Sequence, residues 1–118
     1  MEVFQLSKNN FTVLSTYGDY IVRFESFASF KQTIDFDRFF FIIDEDLKTI
    51  YNNLLSDLPI ERTLIVNSNE ESKSFEQSSI FLKELLSKKI KKDNSLVAIG
   101  GGVVQDITAF LSSIIFRG

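Results

Sequence analysis

The chain of 118 residues contains neither cysteine nor histidine. Without cysteine there is no disulfide framework, no thiolate metal site and no cysteine nucleophile. Without histidine the Ser-His-Asp arrangement is excluded, and so is the side chain on which catalytic zinc sites mainly draw. Positive charge is also in short supply: 13 Lys and Arg face 16 Asp and Glu, a formal net charge of -3, and the pI is near 4.9. That balance argues against a nucleic-acid partner, which normally meets a basic face. No apolar run of about 18 residues occurs, so no membrane partner is expected. The first residues, Met1, Glu2, Val3, Phe4 and Gln5, lack the charged-then-apolar plan of a signal peptide, which leaves a cytoplasmic location as the expectation. What the chain has in quantity is phenylalanine, 13 in all, and the plain use for it is core packing.

The most informative stretch is residues 96–118, which reads as a strand, a glycine loop and a helix. Residues 96–99 form a short apolar run of the kind a fully buried parallel strand needs. Gly100, Gly101 and Gly102 follow, and then Val103, Ile107, Phe110, Leu111 and Ile114 recur at helical spacing as one apolar stripe. A glycine triplet alone is equally a flexible turn. Placed before a helix, however, it exposes unpaired N–H groups of the first turn to an anion and lets a pyrophosphate approach the backbone.

The remainder alternates strand and helix. Residues 3–6, 11–14 and 20–24 are β-rich, with turns expected at Asn9-Asn10 and Gly18-Asp19, and a short helix is expected over 26–33. Residues 38–43, RFFFII, show no polar alternation, the mark of a central strand covered on both faces. Asp44 ends that run, where it either caps the next helix or contacts a nucleotide, or does both. Leu47, Ile50, Tyr51, Leu54 and Leu55 continue at helical spacing, and Pro59 breaks the chain before a third apolar run at 63–66. Ser68 and Glu71 have capping-box spacing, which predicts one helix from about Asn69 to Lys89 with Glu70 and Lys73 on the same face of its first turn. Lys88, Lys89, Lys91 and Lys92 at its end offset the helix dipole and read as a solvated face. The expected fold is α/β: a Rossmann-like three-layer parallel sheet with short N-terminal antiparallel strands.

The pattern Gly100-Gly101-Gly102-Val103-Val104, Asp106, Phe110 and Arg117-Gly118 resembles the signature of the 3-dehydroquinate synthase family, the sugar phosphate cyclases. The likeness is specific over residues 96–118 and looser over the rest. Iron-containing alcohol and glycerol dehydrogenases share the glycines and the aspartate but resemble the chain less after them. A stand-alone nucleotide-binding module is a third alternative. A family enzyme is roughly two to three times this length on the scale of two-domain proteins, so residues 1–118 are expected to be the N-terminal NAD-binding domain, truncated, without the metal-binding catalytic domain.

The resemblance implies roles. Gly100, Gly101 and Gly102 would take the NAD pyrophosphate, and Asp106 the nicotinamide ribose. Glu70 and Lys73, within an element similar to the family's G-E-x-x-K-S, would hold the adenosine ribose, although Asn69 replaces the glycine. Arg117 would bind the substrate phosphate across a dimer interface, or else is only a charged residue at a helix end. In the family NAD oxidises a substrate hydroxyl, phosphate is eliminated, and the hydride returns before ring opening and aldol closure. A divalent, zinc-like metal held by two His and a Glu belongs to the other half, so turnover by this chain alone is not expected. Gln105 and Thr108-Ala109 depart from the family's usual Gly and Ala-Gly, which leaves the sugar phosphate open. A missing neighbouring strand implies self-association or a homodimer.

Overall fold

The computed structural model describes residues 2–7, 10–14, 20–23 and 26–116. Asn9, the expected Gly18-Asp19 turn and Arg117 lie outside the described residues. The chain divides into two compact units, Met1–Ile34 and Asp35–Gly118.

In the first unit, strands β1 (Glu2–Ser7), β2 (Asn10–Leu14) and β3 (Tyr20–Arg23) form an antiparallel sheet in that order, as the β-rich segments imply. Glu2 pairs with Leu14 and Asn10 with Arg23, and the β1–β2 register shifts between Gln5 and Ser7. Helix α1 (Phe27–Thr33) begins where the Ser26 hydroxyl accepts from the Ser29 N–H at 3.1 Å, an ordinary serine cap.

The second unit is built on β4 (Phe39–Asp44). Strand β5 (Thr63–Val66) pairs with it on one side and β6 (Ser95–Ile99) on the other, both parallel, giving the order β5-β4-β6. The unbroken apolar run is explained by burial on both faces: Phe40, Phe41, Ile42 and Ile43 are all 2% exposed or less. The connections from β4 to β5 and from β5 back past β4 to β6 run in opposite directions. Right-handed crossovers then place their helices on opposite faces.

One connection carries α2 (Glu45–Ile50) and α3 (Asn52–Leu55), two short helices where the periodicity suggests a single one. The other carries α4 (Phe75–Ser87), and α5 (Gly102–Ile115) packs beside α4. Phe40, Ile42, Leu64 and Val66 from the sheet close a core with Phe81 and Leu85 of α4 and Val104, Ile107 and Leu111 of α5.

Two expectations need correction. The helix over 69–89 is not continuous. Asn69, not Ser68, supplies the first cap, its side-chain oxygen accepting from the Ser72 N–H at 3.0 Å, and a 3-10 turn spans Glu70–Lys73. Ser74 is then extended (ψ 154°) and caps afresh, accepting from the Gln77 N–H at 3.2 Å, so α4 starts at Phe75. Two capping side chains this close restart the helix instead of letting it run on. The buried stripe of α5 is also rotated: Val104, Ile107, Thr108 and Leu111 face the core, whereas Phe110 and Ile114 are exposed. A Leu111→Ala change removes a fully buried side chain and is expected to cost about 2–5 kcal/mol in urea unfolding. Phe110→Ala is expected to lose clearly less.

Candidate functional site

The strand order reverses at β4, and in open α/β sheets ligands lie at such a switch point, outside the carboxyl ends of the strands. Asp44 ends β4 there, and the glycine loop leaves β6 beside it, Ile43 and Ile99 being register partners. The three glycines do different work. A Cβ on Gly100 would sit 2.8 Å from the Val104 side chain and 3.2 Å from the Asp44 Cβ, so this residue must be small for α5 to close onto β4. Gly101 and Gly102 have nothing within 4 Å of where a Cβ would be. Packing therefore does not require glycine at those two positions, and the backbone there is open to close approach.

Beyond them the first turn of α5 carries no side-chain cap and no acidic residue, so its N–H groups and the positive end of the helix dipole face outward unopposed. Gln105 departs from the family pattern at this point, and its amide donates to the Gly100 carbonyl at 3.3 Å, bracing the loop from the helix. Asp44 is confirmed as a cap: its carboxylate accepts from the Asp46 N–H at 2.9 Å and is buried.

A second cluster lies between the 3-10 turn and α5. Lys73 bonds Asp106 at 2.7 Å and reaches Glu70 at 3.4 Å. The expected Glu70–Lys73 pair is present, but the shorter contact, to a residue 33 positions away, has no signal in local spacing. The hydrogen bond to Asp106 is the main reason that the Lys73 ammonium titrates above its ordinary 10.5, with burial opposing it and the charges of Asp106 and Glu70 adding to it. Below this pair opens a cavity of about 320 Å³ lined by Lys73, Phe75, Ser78, Asp106, Ile107 and Phe110. Phe75 is 82% exposed and Phe110 45%, so two of the phenylalanines assigned to core packing instead line a cavity. The cavity is apolar below and charged at its rim.

The structure thus brings together Asp44 with Gly100, and Glu70 with Lys73 and Asp106. Arg117 lies outside the described residues. Among the described residues no group of three or more His, Cys, Asp and Glu is placed to hold a metal ion. For a dinucleotide the residues present fit: open glycines at an uncapped helix start for a pyrophosphate, and for hydroxyls the carboxylates of Asp106, one helical turn further on, and of Glu70 on the neighbouring 3-10 turn.

These features define a Rossmann-like α/β unit with an anion-type loop at its switch point. Residues 63–118 match the family described as 3-dehydroquinate synthase N-terminal. The chain is 35% identical over 93% of its length to a 3-dehydroquinate synthase of Staphylococcus haemolyticus, and 40% identical over 67% of its length to one of Dictyoglomus turgidum, spanning 30% and 22% of those proteins. In shape, 78% of it superposes on 28% of a 2-deoxy-scyllo-inosose synthase crystallised with carbaglucose-6-phosphate, NAD+ and Co2+, with a TM-score of 0.56 at 18% identity, a likeness of fold. The chain belongs to the 3-dehydroquinate synthase family, the sugar phosphate cyclases, and corresponds to its N-terminal part.

Gly100→Ala is expected to destabilise the fold by about 1–3 kcal/mol through overpacking against Val104. Gly101→Ala is expected to leave urea stability within about 0.5 kcal/mol. In Asp106→Asn the Lys73 ammonium is expected to titrate closer to 10.5 by side-chain nitrogen NMR. Because the folded value is raised, the stabilisation that comes from Lys73's own protonation is present through neutral pH and is lost as pH rises through its titration.

Proposed function

We propose that this chain is the NAD-holding part of a 3-dehydroquinate synthase-like sugar phosphate cyclase. The observation that carries the assignment is the pair Gly101 and Gly102, open to solvent at an uncapped helix start on the switch point of the sheet, in a chain of this family. The relative of similar fold was crystallised with NAD+, which supports the same ligand class here.

Each residue then has a task that follows from its chemistry. The N–H groups after Gly101 donate to pyrophosphate oxygens, and the dipole of α5 favours the negative charge. Gly100 keeps the loop close against β4, and Gln105 braces its carbonyl. Asp106 and Glu70 are hydrogen-bond acceptors suited to ribose hydroxyls. Asp44 is already engaged through one oxygen as a cap, which leaves its second oxygen as the acceptor for ligand contact. Arg117 is assigned to substrate phosphate, a target its guanidinium fork suits. Bound at this loop, NAD supplies a hydride acceptor that takes up and returns the hydride within one turnover. The cyclisation chemistry and the sugar phosphate are assigned to the whole enzyme; this chain spans 30% of the Staphylococcus haemolyticus relative and 22% of the Dictyoglomus turgidum one.

Calorimetric titration with NAD tests the assignment. Saturable binding is expected, weakened roughly tenfold by Asp106→Ala and by Glu70→Ala. A folded chain that takes up no NAD would overturn it. Self-association is proposed as well, because β5 and β6 are both edges of the three-stranded sheet and every apolar residue of β6 is only half-buried. Sedimentation is expected to show mass rising with concentration, and a constant monomer would contradict it.

A further inference from the structure

We propose that Gln105 is a positioning residue: its side-chain amide holds the Gly100–Gly101 peptide in one orientation, so that the Gly101 N–H is set for an anionic ligand before that ligand arrives. The ligand class, a pyrophosphate, rests on the NAD assignment above; the ordering of the loop does not.

Gln105 meets the loop twice. Its side-chain amide donates to the Gly100 carbonyl at 3.3 Å, and its backbone N–H donates to the Gly101 carbonyl at 3.0 Å. The second contact is the ordinary helical bond to the residue four positions back, which any side chain at 105 would leave in place. The first needs a donor on the side chain. A peptide unit is planar, and no cis bond occurs among the described residues, so each carbonyl points opposite to the N–H of the residue that follows it. Fixing the Gly100 carbonyl therefore fixes the Gly101 N–H, and fixing the Gly101 carbonyl fixes the Gly102 N–H. Both donors belong to the first four of a helix start, which have no partner inside the helix.

Side-chain packing does not do this work. Gly100 is hemmed in by Val104 and Asp44, but nothing lies within 4 Å of a Cβ position on Gly101 or Gly102. Glycine has the widest choice of backbone angles of any residue, and a loop that keeps that freedom loses it on binding, at a cost in affinity. A loop ordered beforehand avoids the cost. Gln105 is itself exposed, so the core does not dictate where its amide goes. It also stands where the family pattern usually has glycine, which makes the side-chain contact a property of this chain.

Nitrogen-15 relaxation on the ligand-free chain, with calorimetry using NAD and inorganic pyrophosphate, tests the brace in Gln105→Met. Methionine matches glutamine in length and helix propensity and has no donor. Amide order parameters at Gly101 and Gly102 are expected near the rigid value of about 0.85 in the wild type. In the variant Gly101 is expected to fall below about 0.6 while Gly102, whose helical bond is kept, stays rigid. Slow hydrogen exchange at Leu111 in both forms shows that the core is intact. Whichever ligand the wild type takes up, the variant is expected to bind it roughly three- to tenfold more weakly. Order lost at Gly101 with affinity unchanged would show that the brace does not aid binding, and would overturn the proposal. So would affinity lost with order kept, because Gln105 would then touch the ligand itself. Uptake of pyrophosphate but not NAD, weakened in the variant, would uphold the brace and remove the NAD assignment. NAD binding that the variant leaves unchanged would do the reverse, and uptake of neither ligand would overturn both.

Discussion

The burial of β4 on both faces is the constraint from which the rest of the second unit follows. Four consecutive side chains, Phe40, Phe41, Ile42 and Ile43, are withdrawn almost completely from water, and a strand can achieve this only with a partner on each edge and a layer on each side. The two parallel partners require crossovers that leave in opposite directions. A reversal of strand order, and with it a crevice at the carboxyl ends, is thus a by-product of covering those four residues. The site lies where it does because of hydrophobic coverage, before any ligand chemistry is considered.

Within that crevice, structural and functional demands fall on different atoms of one short loop. Gly100 is needed by the fold, because α5 passes so close to β4 that a methyl group has no room. Gly101 and Gly102 are not needed by it. The helix start beyond them is left uncapped, although serine and asparagine caps open α1, α4 and the 3-10 turn elsewhere in this chain. Helix α3 lacks a side-chain cap as well, so what sets the start of α5 apart is the bare first turn together with the two open glycines before it.

What could be read from the sequence follows the range of the forces involved. Strand β4 is legible because burial on both faces writes itself as an uninterrupted apolar run; the edge strands at 63–66 and 95–99 show apolar runs too, although Ile65 is exposed and β6 is half-buried, and the glycine loop stands out because it ends the last run at a helix start. The α5 face is legible in part: Ile107 and Leu111 are buried and Val103 packs against the core as the spacing implies, but nothing local says that Val104 and Thr108, and not Phe110 and Ile114, complete the stripe. The break at Ser74 was hidden because Ser68, Asn69 and Ser74 are all competent caps, and only tertiary placement chooses among them. The bond from Lys73 to Asp106 had no sequence signal at all, since it exists only once β6 and α5 have packed.

Helix α5 also works as a spacer. Its 14 residues, at 1.5 Å each, carry the backbone about 20 Å from Gly102 to Ile115. That is well beyond the reach of any side chain. The N–H groups exposed at the start of α5 and the residues that follow its end are thus too far apart to contact one and the same small ligand group.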